Sequence, residues 1–193
     1  MSAYHSLSTY SDRGTSIVRL PGGGVYAIEL ETLFKRPGKL RFAWTTQSNL
    51  APGHKQDGLI WCDGTTAWAS YSFRGNTPEQ KKNLDLAVAG ATGASWGTAH
   101  WIARLLTDEV GGIRLDELRD IKVFGNDTVE GVECVVLVGY HAAGGEHKLW
   151  VGNKDHLIRR IEERSKTGSQ EEVRTQILVD RDIPDSRFSK EGR

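Results

Sequence analysis

Long apolar runs are missing from this 193-residue chain. None approaches the roughly 18 residues of a membrane-spanning helix. Net charge is missing too, with 25 Lys and Arg against 25 Asp and Glu. Without a basic excess or a long basic block, nucleic-acid binding has little electrostatic support. Cysteine is scarce: Cys62 and Cys134 stand alone, neither in a CxxC pair, which argues against a zinc or redox site built on them. Two buried thiols are expected, with a disulfide as the alternative in an exported protein. Gly22 to Gly24 are followed by neither Lys-Ser/Thr nor a helix, so they read as a hairpin turn rather than a phosphate loop. His141 and His147 flank AAGGE, but no carboxylate pattern completes a ligand set. Neither a metal nor a cofactor is expected. The opening MSAYHSLSTYSDRG lacks the basic start and apolar run of a signal peptide. That leaves either a cytoplasmic chain or a processed or trimmed form of an exported one.

What is present is a globular composition, 38% apolar and 26% charged, long enough for one domain over residues 1–193 with a sizeable core. The first 75 residues read as antiparallel strands. In VYAIELETLF, Tyr26, Ile28, Leu30 and Phe34 fall on one face and Glu29 and Glu31 on the other, the period of a half-buried strand. In LRFAWTTQ, Leu40, Phe42 and Trp44 share a face opposite Arg41. SNLAPGHKQD reads as a polar loop, and LIWC, Asp-Gly and TTAWASYSF as a hairpin around a favoured turn pair. The last third returns to strands: IKVFGNDTV, VECVVLVGYH, HKLWVGN, HLIRRIEER and EEVRTQILV, joined by EG, AAGG, NKD and KTGS.

The middle differs. Thr77, Pro78 and Gln80 read as a capping box opening a helix through NTPEQKKNLDLAVAGA, with Leu84 and Val88 on one face, Ala87 and Ala91 likewise, and Gly93 at its end. TAHWIARLLTDE reads as a second helix with Trp101, Ile102, Leu105 and Leu106 at core spacing. His100 reads as a surface or packed helix residue. About ten strands around one helical insertion make an α+β chain with a large curved antiparallel sheet covered by helices, because a sheet of that size tends to curl.

Residues 93–97, Gly-Ala-Ser-Trp-Gly, fit G-x-S-x-G, the nucleophile elbow of serine hydrolases. An elbow needs a strand before the serine, and here a helix is expected. A helix–helix junction is the better reading, with Ser95 or Thr98 capping the next helix. A serine esterase using Ser95 stays the weaker alternative. Read alone, the residues favour a binding or carrier fold over an enzyme.

LFKRPGKLRFAWTTQ, followed by IWCDGTTAWASYSF, resembles the first half of the lipoprotein carrier LolA and its relatives: an Arg-Pro turn, an aromatic strand, an Asp-Gly hairpin and a second aromatic strand. AGATGAS, ARLL, GNDTVEGVECVVL and KLWVGNKDHLIRRIEE extend the resemblance over roughly residues 4 to 188. The resemblance implies an unclosed antiparallel β-barrel whose helical insertion, residues 77–118, covers the concave face as a lid. It implies binding of lipid, an acyl chain or a lipidated protein between sheet and lid, and export to the periplasm or cell envelope. It assigns Arg36 to tethering the lid and Phe42 to lining the cavity. Pattern adds Leu40, Trp44, Trp61 and Trp68 on the strands and Ile102, Leu105 and Leu106 on the helix as ligand-contacting candidates. The short N-terminal segment and the helical insertion depart from the carrier itself. The superfamily also includes envelope-stress sensors that bind a regulator, so an interaction module with a protein partner is the alternative.

Overall fold

The computed structural model describes residues 2–112, 114–141 and 145–192. A short helix, α1 (Ser2–His5), is followed by strands β1 (Thr9–Arg19), β2 (Val25–Lys35), β3 (Lys39–Ser48), β4 (Ala51–Asp63), β5 (Ala67–Tyr71) and β6 (Glu79–Lys81). Helices α2 (Leu84–Ala94), α3 (Thr98–Trp101) and α4 (Ala103–Leu106) come next, then β7 (Arg119–Val129), β8 (Val132–Tyr140), β9 (Glu146–Gly152), β10 (Ile158–Ser165) and β11 (Gly168–Val179).

All the strands join one antiparallel sheet in the order β6-β5-β4-β3-β2-β1-β11-β10-β9-β8-β7. The first and last strands therefore meet in the middle, and the two edges, β6 and β7, are the strands that flank the helices in sequence. The edges do not pair with each other, so the barrel stays open. This is the unclosed, helix-covered antiparallel sheet expected for a LolA-like chain.

Register sets the faces, because side chains alternate along a strand. Tyr10, Ile28, Leu30, Phe34, Leu40, Phe42, Trp44, Ile60 and Cys62 point to the concave side and pack with Leu84, Ala87, Val88, Trp101, Ile102, Leu105 and Leu106 of the helices in one core. Trp44 needs a glycine opposite it: a Cβ at Gly58 would stand 2.0 Å from the Trp44 ring. On the convex side Leu33, Ile183 and Phe188 form a separate small cluster under the C-terminal segment, and Val129, Cys134, Val136 and Trp150 form another. Cys62 and Cys134 thus sit in different clusters, both as free buried thiols whose pKa burial raises.

Four local expectations are corrected. The polar loop SNLAPGHKQD is in large part the start of β4, paired with β3 as far as Ala51 opposite Ser48; its exposed polar side chains hide the strand from pattern reading. The capping box does not form. Residues 79–81 pair with β5 as an edge strand, and Asn83 caps the helix instead, its Oδ1 accepting from the Leu86 N–H at 2.9 Å. Gly93 lies inside α2, and the second expected helix is two separate turns, α3 and α4, either side of Ile102. The glycine turn after β1 is a hairpin as expected, with the Leu20 N–H donating to Gly24 O at 2.8 Å. Most of the AAGG turn falls outside the described residues.

Candidate binding site on the concave face

Leu40, Phe42, Trp44, Ile102, Leu105 and Leu106 all lie in the core between sheet and helices, each under 5% exposed. Phe42 and Trp44 stack at 5.4 Å, and Tyr71 meets Trp44 edge-on. Trp61 and Trp68 are not part of this group. They face each other across β4 and β5, stacked at 6.1 Å, in register with Arg41 on the convex side. The physical reason is alternation: Ile60, Cys62, Ala67 and Ala69 occupy the inward positions of these two strands, leaving both tryptophans outward.

Arg36 closes the end of β2. Its Nε donates to Leu7 O at 2.8 Å, and Nη2 donates to His5 O at 2.6 Å, Tyr4 O at 3.3 Å and Leu106 O at 3.1 Å. A guanidinium has donors enough to take several carbonyls at once. Here it gathers carbonyls from the α1 segment and from α4, where cations are favoured by the exposed C=O groups. One side chain thus joins the end of β2, the N-terminal turn and the helical cover.

A second arginine was not singled out by sequence. Arg174 of β11 is completely buried on the concave side. It donates to Asp12 at 2.9 and 3.2 Å, to Glu172 at 2.6 Å, to Thr32 Oγ1 at 2.9 Å and to Thr98 O of α3 at 3.3 Å. Tyr10 donates its hydroxyl proton to Asp12 at 2.6 Å. Two carboxylates thus share one cation in a desolvated place. Burial, opposed by Arg174 and reinforced by Asp12, pushes the Glu172 carboxyl up to about 7. Burial disfavours the Arg174 charge, but Asp12 and Glu172 outweigh it and hold the guanidinium protonated.

The helices do not cover the whole concave face. Toward the β7 edge the inward positions are Val123, Leu137, Val135 and Val151, with Ile121 lying over Gly139. Ile121 is 52% exposed and Val123 70%. Leu137 and Val151 pack against the main core, so this open apolar strip is continuous with it.

Ser95 is fully buried at the end of α2, its Oγ accepting from the Ala99 N–H at 3.2 Å. A helix, not a strand, precedes it, so the strand–turn–helix geometry of an elbow is not formed. Among the described residues no group of three or more His, Cys, Asp or Glu could hold a metal ion, and no helix is long and apolar enough to cross a membrane.

An unclosed antiparallel barrel with helices on its concave face is a LolA-like fold, and the chain has it. No protein-family model and no curated protein matches the sequence. Solved structures do. LprF from Mycobacterium bovis superposes with a TM-score of 0.53 at 12% identity, over 95% of this chain and 91% of that one. The lipoprotein LppX from Mycobacterium tuberculosis gives 0.51 at 12% identity, over 95% and 92%. The MucA/MucB complex of Pseudomonas aeruginosa gives 0.50 at 15% identity, this chain covering 57% of the matched one. At such identities the likeness is one of fold.

Proposed function

We propose that this protein is a non-enzymatic binder or carrier of a lipid, an acyl chain or a lipidated protein, acting in the periplasm or cell envelope. The observation that carries the reading is the apolar strip on the concave face, with Ile121 and Val123 exposed and the half-buried Leu137 and Val151 joining them to the core under the helices. An acyl chain laid there gains about 0.8 kcal/mol per buried methylene. The strip supplies a landing place at the open edge. Displacing α2–α4 from the inner face would extend it to Leu40, Phe42 and Trp44, with Ile102, Leu105 and Leu106 moving away on the cover. Arg36 is the tether whose bonds to α1 and α4 limit that movement. The likeness of fold to the lipoprotein LppX is in keeping with this reading. A buried Ser95 without an elbow gives a hydrolase no support.

Native mass spectrometry of protein expressed with an export signal, followed by organic extraction, tests it. A discrete added mass that extracts as lipid or acylated peptide is expected. A clean apo mass with no uptake of added fatty acid overturns it.

The second reading is an interaction module for an envelope protein. Its support is that the inner face beneath the helices is closely packed, with six of the eight expected lining residues in the core. One fold relative, MucB, is also known in complex with MucA. A stoichiometric protein partner without bound lipid would favour this reading.

A further inference from the structure

One row of residues crosses the concave face at the end of the sheet away from Arg36. Reading from strand to strand, Gly139 pairs with His147, His147 with Glu163, Glu163 with Gln170, Gln170 with Val18 and Val18 with Tyr26. The helical cover meets this row through Trp96, whose ring lies tilted against that of Tyr26 with centroids 4.3 Å apart, and through His100. A Cβ placed on Gly97 would stand 3.7 Å from His100 Cε1 and 3.9 Å from Gln170 Oε1; one on Gly145 would stand 3.6 Å from Glu163 Oε1 and 3.9 Å from His147 Cε1. The polar groups of sheet and cover are therefore neighbours at this end of the sheet.

A cavity of about 160 Å³ opens here, with Trp96, Val18, Leu20, Glu163, Gln170 and Ser165 on its walls. Glu163 is the one charged side chain among its lining residues, and it forms no salt bridge among the described residues. Behind the cavity lie His100, 7% exposed and with no hydrogen-bond partner on either ring nitrogen, and His147, 1% exposed and paired across the strands with Glu163. Burial depresses both imidazole pKa values, that of His100 to about 4; at His147 the Glu163 carboxylate opposes the shift without reversing it, so neither ring supplies a full positive charge at neutral pH. Trp96 is held in place by a costly backbone. It sits at φ 54° and is followed by Gly97 at φ 88°; a bulky residue in the left-handed region is an outlier of the kind found at ligand clamps.

We propose that this cavity binds an organic ammonium group, with the Glu163 carboxylate as its counter-ion and the Trp96 indole face as its cation–π wall. The pairing is physical. An unpaired, half-buried carboxylate attracts a cation. A tryptophan face adds attraction to a desolvated one. The volume, about that of five waters, suits an ethanolamine or choline group. Such a group could belong to a lipid or be a free compound. The free compound would need no acyl chain, so this site does not depend on the carrier reading.

Calorimetric titration with choline and with 3,3-dimethylbutan-1-ol, its neutral isostere, tests the charge. Lyso-phosphatidylethanolamine and lyso-phosphatidylglycerol of the same chain length distinguish the sources. Binding of choline or of the ethanolamine lysolipid is expected, at least tenfold tighter than that of the uncharged or anionic counterpart, and lost at least tenfold in Glu163→Gln. Glu163 lies at a cavity mouth, so that variant is checked for an unchanged melting temperature; Trp96→Leu is the second variant, expected to weaken choline more than the alcohol. Choline binding without fatty-acid uptake would place the site with a free ammonium compound and count against the carrier. Equal binding of charged and neutral isosteres overturns the site. So does a lysolipid that binds wild type and Glu163→Gln alike, an outcome that leaves the acyl-chain reading standing. Absence of binding by all four probes overturns the site as well.

Discussion

Arg174 Nη2 lies 3.3 Å from the carbonyl oxygen of Thr98, so a buried side chain of the last strand holds the first turn of α3 against the sheet. Arg36 does the same for the last turn of α4, through Leu106 O at 3.1 Å. The two arginines grip the ends of one short stretch of cover, residues 98–106, but they do so differently. Arg36 sits at the rim among carbonyls. Arg174 sits at the centre among carboxylates.

Arg36→Leu is expected to loosen the cover without unfolding the protein. Hydrogen bonds from a charged donor contribute about 1.5–3 kcal/mol, and the lost carbonyl ties are local. Amide hydrogen exchange should quicken in α1 and around residues 103–107, while the strands β1 and β11 keep their protection. Bound ligand should leave faster. Unchanged exchange and unchanged release would remove Arg36 from the tether role.

Arg174→Met is expected to be far more damaging, on the order of 3–5 kcal/mol, because it leaves Asp12 and Glu172 buried without a counter-ion. Chemical denaturation of the variant measures this. A loss below about 1 kcal/mol would mean that the network relaxes to water and that its burial is not maintained.

Glu172 predicts a pH dependence of definite sign. Its folded pKa, about 7, lies above the ordinary value of 4.5, so the fold binds more protons than the unfolded chain between those values. The stability this confers is present below pH 4.5 and lost as pH rises through 7. Glu172→Gln keeps the neutral form, so its stability relative to wild type should improve from pH 5 to pH 8 by on the order of 1–3 kcal/mol. A pH-independent difference would show that Glu172 is ionised throughout.

His100 carries the opposite sign. Burial, with the His147 charge second, holds it at about 4 against an ordinary 6.5. Its contribution is present above 6.5 and is lost as pH falls through 4, because the unfolded chain takes the proton first. His100→Phe should flatten the acid limb of the stability curve. A limb of unchanged slope would put the acid sensitivity elsewhere.

Gly58→Ala should destabilise the protein by about 1–3 kcal/mol through overpacking, since its Cβ would be driven into the Trp44 ring. Thermal melting reads this directly. A neutral result would mean that the indole moves freely, as it would in an open cavity rather than a packed core.

Period-two alternation was legible where one face is apolar. It placed Ile28, Leu30, Phe34, Leu40, Phe42 and Trp44 inward correctly. It was silent for β4, whose first half is exposed and polar on both faces. It also could not place Trp61 and Trp68, because in a tryptophan-rich hairpin the large side chains suggest an interior while the small Ala67 and Ala69 take it. Arg174 and Glu172 escaped for a related reason: charged side chains two apart on a strand look solvent-facing until Asp12, Thr32 and Thr98 are seen around them.

The sequence by itself determined the order strands–helices–strands, the antiparallel character and the apolar face of the early strands. Short turns and local periodicity are properties of neighbouring residues. Only the tertiary structure decided that β1 and β11 meet mid-sheet, that the cover stops short of Ile121 and Val123, and that Tyr26, Gln170, Glu163 and His147 form one row. The pairing of β1 with β11 joins residues 150 or more positions apart, and the row runs from Tyr26 to Gln170 across that same seam. Strand register sets them, and no local pattern encodes it.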